Sequence, residues 1–139
     1  MDKAIAEANA RLSGREAAAL LYFAALLAAW LATPVVLQAQ EYHAFADQRV
    51  LLGIPNAADV LSNAAFVAVG LLGLWRLRSH QPERSATLGS SMLALFLGLV
   101  LTGFGSAWYH LHPADGTLAW DRLPMTISFA GVCGALCAQ

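Results

Sequence analysis

The sequence predicts an all-α fold, a polytopic transmembrane helix bundle with about four membrane helices. Of its 139 residues, 58% are hydrophobic and only 12% are charged, whereas a soluble domain carries about 25% charged residues. Four apolar stretches stand out when compared with the roughly 20 residues that a helix needs to cross a bilayer. Alternation of apolar and polar residues with a period of two is absent, which excludes the strands of a membrane barrel.

The first two predicted helices cover about residues 17–38 and 54–77. The first contains no charged residue. Basic residues precede it, so a cleaved signal peptide is an alternative, but its apolar core is longer than the usual 7–15 residues. We therefore expect a retained helix. The second contains a single acidic residue, Asp59.

The last two predicted helices cover about residues 85–111 and 121–139. The third is uncharged along its whole length. The apolar run of the fourth begins after Arg122, and its 17 residues are near the short limit for a span. All four helices belong to one transmembrane domain over residues 1–139, which is as much as this length allows.

Basic residues are distributed unevenly between the two sides of this predicted bundle. Because cytoplasmic loops are enriched in lysine and arginine, the side with more of them is cytoplasmic. Six basic residues lie on the side of the N-terminus and two lie on the opposite side: Lys3, Arg11, Arg15, Arg76, Arg78 and Arg84, against Arg49 and Arg122. We expect a cytoplasmic N-terminus, loops 38–53 and 110–122 on the periplasmic side, and a location in a bacterial inner membrane. The chain has no basic patch, which predicts no nucleic-acid partner.

Polar residues near the end of the third helix are the first candidates for chemistry, since polar groups at membrane depth are costly. Ser106 and His110 are four residues apart and share a helical face, and a short loop returns the chain to Asp121. One interpretation is a metal site with His110 as ligand and Asp121 as proton acceptor. A second is nucleophilic catalysis by Ser–His–Asp, although Ser106 lies mid-helix. A third is structural, with Asp121 capping the fourth helix and His110 lying at the membrane interface.

A second polar set lies on the second helix. Asn56, Asp59 and Asn63 follow the spacing i, i+3 and i+7, so they share one face of a helix otherwise built of apolar residues. Such a face either binds a ligand or forms hydrogen bonds to a neighbouring helix, and the second is the commoner role.

Together these segments resemble the alkaline ceramidase family. Gly-Ser-x-x-Tyr-His at residues 105–110 and Trp-Asp-Arg-Leu-Pro-Met at residues 120–125 match its motifs, and residues 53–63 are similar to its first helix. The family belongs to a superfamily of seven-helix membrane hydrolases that includes the adiponectin and progestin receptors. The resemblance covers residues from about 45 to 135. It implies that this chain is the N-terminal part of the seven-helix core, or a shortened descendant of it, with one extra N-terminal helix.

The resemblance also implies a set of roles for individual residues. His110 would be a zinc ligand, and Ser106 and Asp121 would be catalytic. The other two zinc ligands of the family are a His-x-x-x-His pair on a later helix, and the histidines of this chain do not have that spacing. Asp47 and Asn56, with Glu41, loosely match the calcium site of the family.

These expectations combine into a function. The chain is expected to be a ceramidase-like, zinc-dependent hydrolase that cleaves the amide bond of ceramide or a related N-acyl lipid within the bilayer. Zn²⁺ is the expected cofactor and calcium a second one. The partners are the membrane lipid substrate and the bilayer, with a further copy of the chain if it is complete. The alternatives are a receptor-like or lipid-sensing protein of the same superfamily without catalysis, and a structural membrane subunit.

Overall fold

The computed structural model describes residues 14–34, 36–79 and 86–138, and these residues contain helices and no strand. The all-α prediction is therefore confirmed for this part of the chain. A short 3₁₀ helix covers Gln40–His43, and the α-helices are α1 (Gly14–Ala32), α2 (Ala57–Ser62), α3 (Ala64–Ser79), α4 (Ala86–Leu111) and α5 (Asp115–Cys137).

The chain divides into two compact units, Met1–Leu37 and Gln38–Gln139. The described part of the first unit is mainly helix α1, whose large apolar side chains, such as Trp30, are exposed. This helix ends at Ala32, earlier than the predicted end at residue 38, because Pro34 follows and the residue before a proline is disfavoured in helical conformation.

The second predicted helix is interrupted at Asn63, which separates α2 from α3. The Asn63 side chain donates a hydrogen bond to the Asp59 carbonyl oxygen at 2.8 Å, so this amide group bonds to the preceding helical turn. Asp47 lies before α2 and accepts a 2.6 Å hydrogen bond from the Ala58 backbone N–H. A carboxylate placed there satisfies one of the free N–H groups of the first turn.

Helix α4 packs between α3 and α5, and glycines permit the close approach of their backbones. A Cβ atom at Gly70 would lie 2.8 Å from the Phe96 carbonyl oxygen, and one at Gly131 would lie 2.7 Å from the Ser91 carbonyl oxygen. At Gly105, a Cβ atom would overlap the carbonyl oxygen of Trp120. Small residues at helix contacts are typical of helices that associate in membranes.

Helix α5 begins at Asp115, more than a turn before the predicted start at residue 121. The Thr117 hydroxyl accepts a 3.2 Å hydrogen bond from the Ala114 N–H and closes this start. The structural interpretation of Asp121 as the cap of the last helix is therefore wrong, since Asp121 lies inside the helix and is only 6% exposed.

Two helical stretches of the described chain are long and apolar enough to cross a membrane, residues 57–79 and 86–111, and the apolar helix at 17–32 is shorter. Large apolar residues, which are most often inside in soluble proteins, are largely exposed in the second unit. Leucines such as Leu71 and Leu97 are exposed on the outer surface. The buried polar and charged residues are Asn63, Ser91, Thr102, Ser106 and Asp121.

Candidate functional site

Buried polar groups of Ser106, His110 and Asp121 lie towards one end of the second unit, where α4 ends and α5 begins. Segment 38–56 covers this end, and Asn56 ties it to α4, because its Nδ2 donates a 2.8 Å hydrogen bond to the His110 carbonyl oxygen. Asn56 has the left-handed backbone conformation, with φ of 49°, which asparagine tolerates better than most residues. The expected hydrogen bond to a neighbouring helix is thus found at Asn56.

His110 lies in the last turn of α4, with its ring held against that of Phe45 at a centroid distance of 4.4 Å. Its Nδ1 atom is buried and has no hydrogen-bond partner. An unpaired buried polar atom costs free energy, so this nitrogen is suited to a ligand that the protein does not itself supply.

Ser106 is one helical turn before His110 and is also buried. Asp121 has one carboxylate oxygen, Oδ1, that is buried and unpaired, while Oδ2 lies 3.4 Å from Arg122 Nε. The close approach of Gly105 to Trp120 brings the chain neighbours Ser106 and Asp121 to the same level of the helix pair. Direct convergence of the three predicted side chains stays a prediction.

A catalytic zinc ion needs three protein ligands and an open position. His110 Nδ1 fits one of the three. Among the described residues, however, no group of three or more histidine, cysteine, aspartate or glutamate side chains could hold a metal ion. His112 does not turn towards His110; it is exposed and its ring lies 4.1 Å from that of Trp108. His80 lies outside the described residues.

The residues expected at a calcium site have other partners. Asp47 Oδ1 pairs with Arg49 Nε at 2.5 Å, and its Oδ2 accepts from Ala58. The Asn56 amide binds the His110 carbonyl oxygen, and Glu41 is exposed on the 3₁₀ helix. Because a guanidinium already neutralises Asp47, these residues do not fit a calcium ion.

The most connected polar cluster was not predicted from the sequence. His43, whose side chain is 7% exposed, lies between Tyr109 and Asp115: Nδ1 is 2.9 Å from the Tyr109 hydroxyl oxygen, and Nε2 is 3.3 Å from Asp115 Oδ1. Asp115 Oδ1 also accepts a 3.1 Å hydrogen bond from the Gln38 N–H. His43, Tyr109 and Asp115 lie in three separate segments and have no common spacing. The aromatic residues Tyr42 and Phe45 near His43 were the one signal in the sequence that this segment packs against the helices.

An apolar groove of about 450 Å³ runs along α4 and α5 from this polar end. Gly105 and Trp120 are part of its wall, and they are the chain neighbours of Ser106 and Asp121. No charged residue lines it; its walls are Leu101, Phe104, Gly105, Trp108, Trp120, Leu123, Pro124 and Ile127.

Comparison with known proteins gives no relative for this chain: no family model, curated protein or solved structure matches it.

Proposed function

We propose that this chain forms part of a polytopic membrane bundle, with its N-terminus in the cytoplasm and its buried polar end on the periplasmic side of a bacterial inner membrane. Three observations support the proposal: two helices of sufficient length and apolarity, exposed leucines around a core of small and polar residues, and the uneven distribution of basic residues. Helices α1 and α5 would be the other two spans.

The test of this orientation is the labelling of single cysteines from one side of the membrane. Cys133 and Cys137 are first replaced by alanine. A cysteine at Gly116, which is exposed at the start of α5, should react with an impermeant maleimide added to the periplasmic side. A cysteine at Ser13, which precedes the described residues, should react only after the cells are permeabilised. Labelling of both positions without permeabilisation would contradict the topology.

We further propose that the bundle is a ceramidase-like hydrolase of N-acyl lipids. Four buried side-chain atoms of the described residues have no hydrogen-bond partner: His43 Nε2, Thr102 Oγ1, His110 Nδ1 and Asp121 Oδ1. The observation that carries the proposal is that two of them, His110 Nδ1 and Asp121 Oδ1, belong to residues of the ceramidase-like motifs. In a membrane protein, buried ionisable groups without partners indicate a functional site. The match of residues 105–110 and 120–125 to the ceramidase motifs supports the same assignment.

His110 would supply one zinc ligand, with the remaining ligands from residues other than the described ones. Bound zinc lowers the pKa of its water towards 7. The residues of this chain would act around the reacting amide. Asp121 Oδ1 would accept a proton from the attacking water and pass it to the departing amine nitrogen as the C–N bond breaks. The Ser106 hydroxyl would donate a hydrogen bond to the carbonyl oxygen as it gains charge.

The substrate of such a site would be a lipid held by its chain in the apolar groove. The groove has no charged lining, and its walls include Gly105 and Trp120, the chain neighbours of Ser106 and Asp121. An acyl chain lying along α4 and α5 would bring its amide to the polar end of the bundle. This arrangement favours an N-acyl lipid over a water-soluble amide.

One observation favours the runner-up, a receptor-like or lipid-sensing protein without catalysis. No group of three metal-ligating side chains exists among the described residues, and a protein that has lost its zinc would retain the groove and the polar end.

The two functions are separated by an assay on the protein in lipid vesicles. A fluorescent N-acyl sphingosine is added with and without a zinc chelator. Release of fatty acid that the chelator abolishes supports the hydrolase. Saturable lipid binding without any release, at a protein concentration that gives full binding, supports the receptor-like function.

A further inference from the structure

The loop before α2 contains a tight turn with an apolar tip. Leu51 N–H donates to the Ile54 carbonyl oxygen at 3.0 Å, and Ile54 N–H donates to the Leu51 carbonyl oxygen at 2.9 Å. The two central residues both have positive φ, 53° at Leu52 and 81° at Gly53. Glycine adopts this conformation readily, but a leucine rarely does, because its Cβ crowds the following carbonyl oxygen. The turn therefore holds Leu52 in a fixed and unfavourable conformation.

The side chains at this tip are mostly exposed and pack little against the rest of the protein. Leu52 is 94% exposed, and its neighbours Val50 and Leu51 are exposed as well. The polar base of the turn is different: Arg49 is paired with Asp47, which is in turn bonded to the first turn of α2. The tip is thus an apolar projection on a base that is fastened to the bundle.

The tip lies at one end of the two long apolar helices. The turn lies directly before residues 57–79, and Asn56 is bonded to His110 at the end of residues 86–111. Both apolar helices therefore end at the level of the turn. Trp108 and Trp120 are exposed at the same end, and tryptophan is enriched where the bilayer meets water.

We propose that Val50, Leu51 and Leu52 form a lipid anchor that inserts into the outer boundary of the bilayer at the polar end of the bundle. The apolar tip would lie about 5–10 Å below the headgroup boundary, as apolar faces of interfacial segments do, while Arg49 and Asp47 remain in the headgroup layer. The anchor fixes the depth of segment 38–56, which covers His110. It rests on the membrane part of the proposed function and is independent of the hydrolase part.

The test measures the depth of a nitroxide label in the full chain, reconstituted in phosphatidylcholine vesicles with Cys133 and Cys137 replaced by alanine. Single cysteines replace Leu52 and Gln48, an exposed polar residue of the same loop and the matched control. A third label replaces Leu97, exposed in the middle of α4, as a reference for the bilayer interior. Collisions with oxygen, which concentrates in lipid, are compared with collisions with a nickel chelate, which stays in water.

We expect the Leu52 label to collide preferentially with oxygen, as the Leu97 label does, and the Gln48 label to collide preferentially with the nickel chelate. A water-exposed Leu52 label beside a lipid-exposed Leu97 label overturns the anchor alone. A water-exposed Leu97 label overturns the membrane proposal and the anchor with it. Spin–spin broadening at Leu52 shows that a second copy covers the tip and also overturns the anchor. If Leu52→Cys does not fold, Val50→Cys, which lies outside the strained centre of the turn, takes the same measurement with the same outcomes.

Discussion

His43 Nδ1 lies 2.9 Å from the hydroxyl oxygen of Tyr109. Its Nε2 lies 3.3 Å from Asp115 Oδ1. One imidazole thus joins the 3₁₀ helix to the end of α4 and the start of α5. It holds segment 38–56 against the same end of the bundle that carries His110.

His43→Ala is expected to destabilise the protein by about 1–3 kcal/mol, because it leaves the buried Tyr109 hydroxyl without a partner. Thermal unfolding in detergent, followed by tryptophan fluorescence, measures the change. His112→Ala is the control, since that histidine is exposed and two residues from the same helix end. Equal stability of the two variants would show that the His43 contacts contribute nothing to holding the segment.

The Arg49 side chain, with help from the Ala58 N–H, holds the pKa of Asp47 below its ordinary value. A lowered pKa in the folded state means that the stabilisation is present above the unfolded pKa of about 3.9 and is lost as the pH falls through the folded value. We expect the wild-type unfolding temperature to fall between about pH 5 and pH 2, and this fall to be smaller in Asp47→Asn.

The control for the acid titration is Gln48→Ala, which removes an exposed neighbour without a titrating group. Arg49→Gln removes the larger cause and should move the loss of stability to higher pH. A pH profile for Asp47→Asn that coincides with the wild-type profile would mean that the Asp47 interactions do not stabilise the start of α2.

Gly105→Ala is expected to destabilise the bundle by about 1–3 kcal/mol, the usual cost of overpacking. The added Cβ atom would overlap the Trp120 carbonyl oxygen, which is backbone and cannot move aside without shifting α5. Gly89→Ala is the matched control in the same helix, because nothing lies within 4 Å of its Cβ position. There alanine should stabilise the helix by about 0.5–1 kcal/mol. Opposite signs for the two variants in detergent unfolding would confirm the close α4–α5 contact.

The sequence predicted the elements better than it predicted their ends and contacts. The apolar runs located the helices, because the length of an apolar run can be read directly from consecutive residues of the sequence. The start of α5 at Asp115 was missed, since Asp115, Gly116 and Thr117 do not look like part of an apolar run. The structure shows that Thr117 closes that start. Hydropathy alone cannot find such a polar helical turn.

In the candidate site, too, local pairs of residues could be predicted from the sequence, whereas contacts between distant segments could not. Ser106 and His110 could be paired from the sequence because helical spacing fixes their common face. The His43–Tyr109–Asp115 cluster depends on how segment 38–56 returns over the bundle. No local spacing encodes that return, and it could be found only from the fold.

The metal assignment is tested by comparing a variant of the proposed zinc ligand with a variant of the proposed proton acceptor. His110→Ala should abolish both bound zinc and hydrolysis, because a site that loses one of three ligands retains too little affinity. Asp121→Asn should retain zinc but lower turnover by about 10²–10⁴-fold, the usual contribution of a general base. Elemental analysis of the purified protein and the release of fatty acid from the fluorescent lipid measure the two effects independently.

His112→Ala controls for nonspecific binding of metal by surface imidazoles, and it should leave both measurements unchanged. Loss of zinc in Asp121→Asn would make Asp121 a ligand and not a proton acceptor. Full hydrolysis in a folded His110→Ala protein would end the ceramidase-like mechanism, because the only buried imidazole nitrogen on α4 without a partner would then have no part in the reaction.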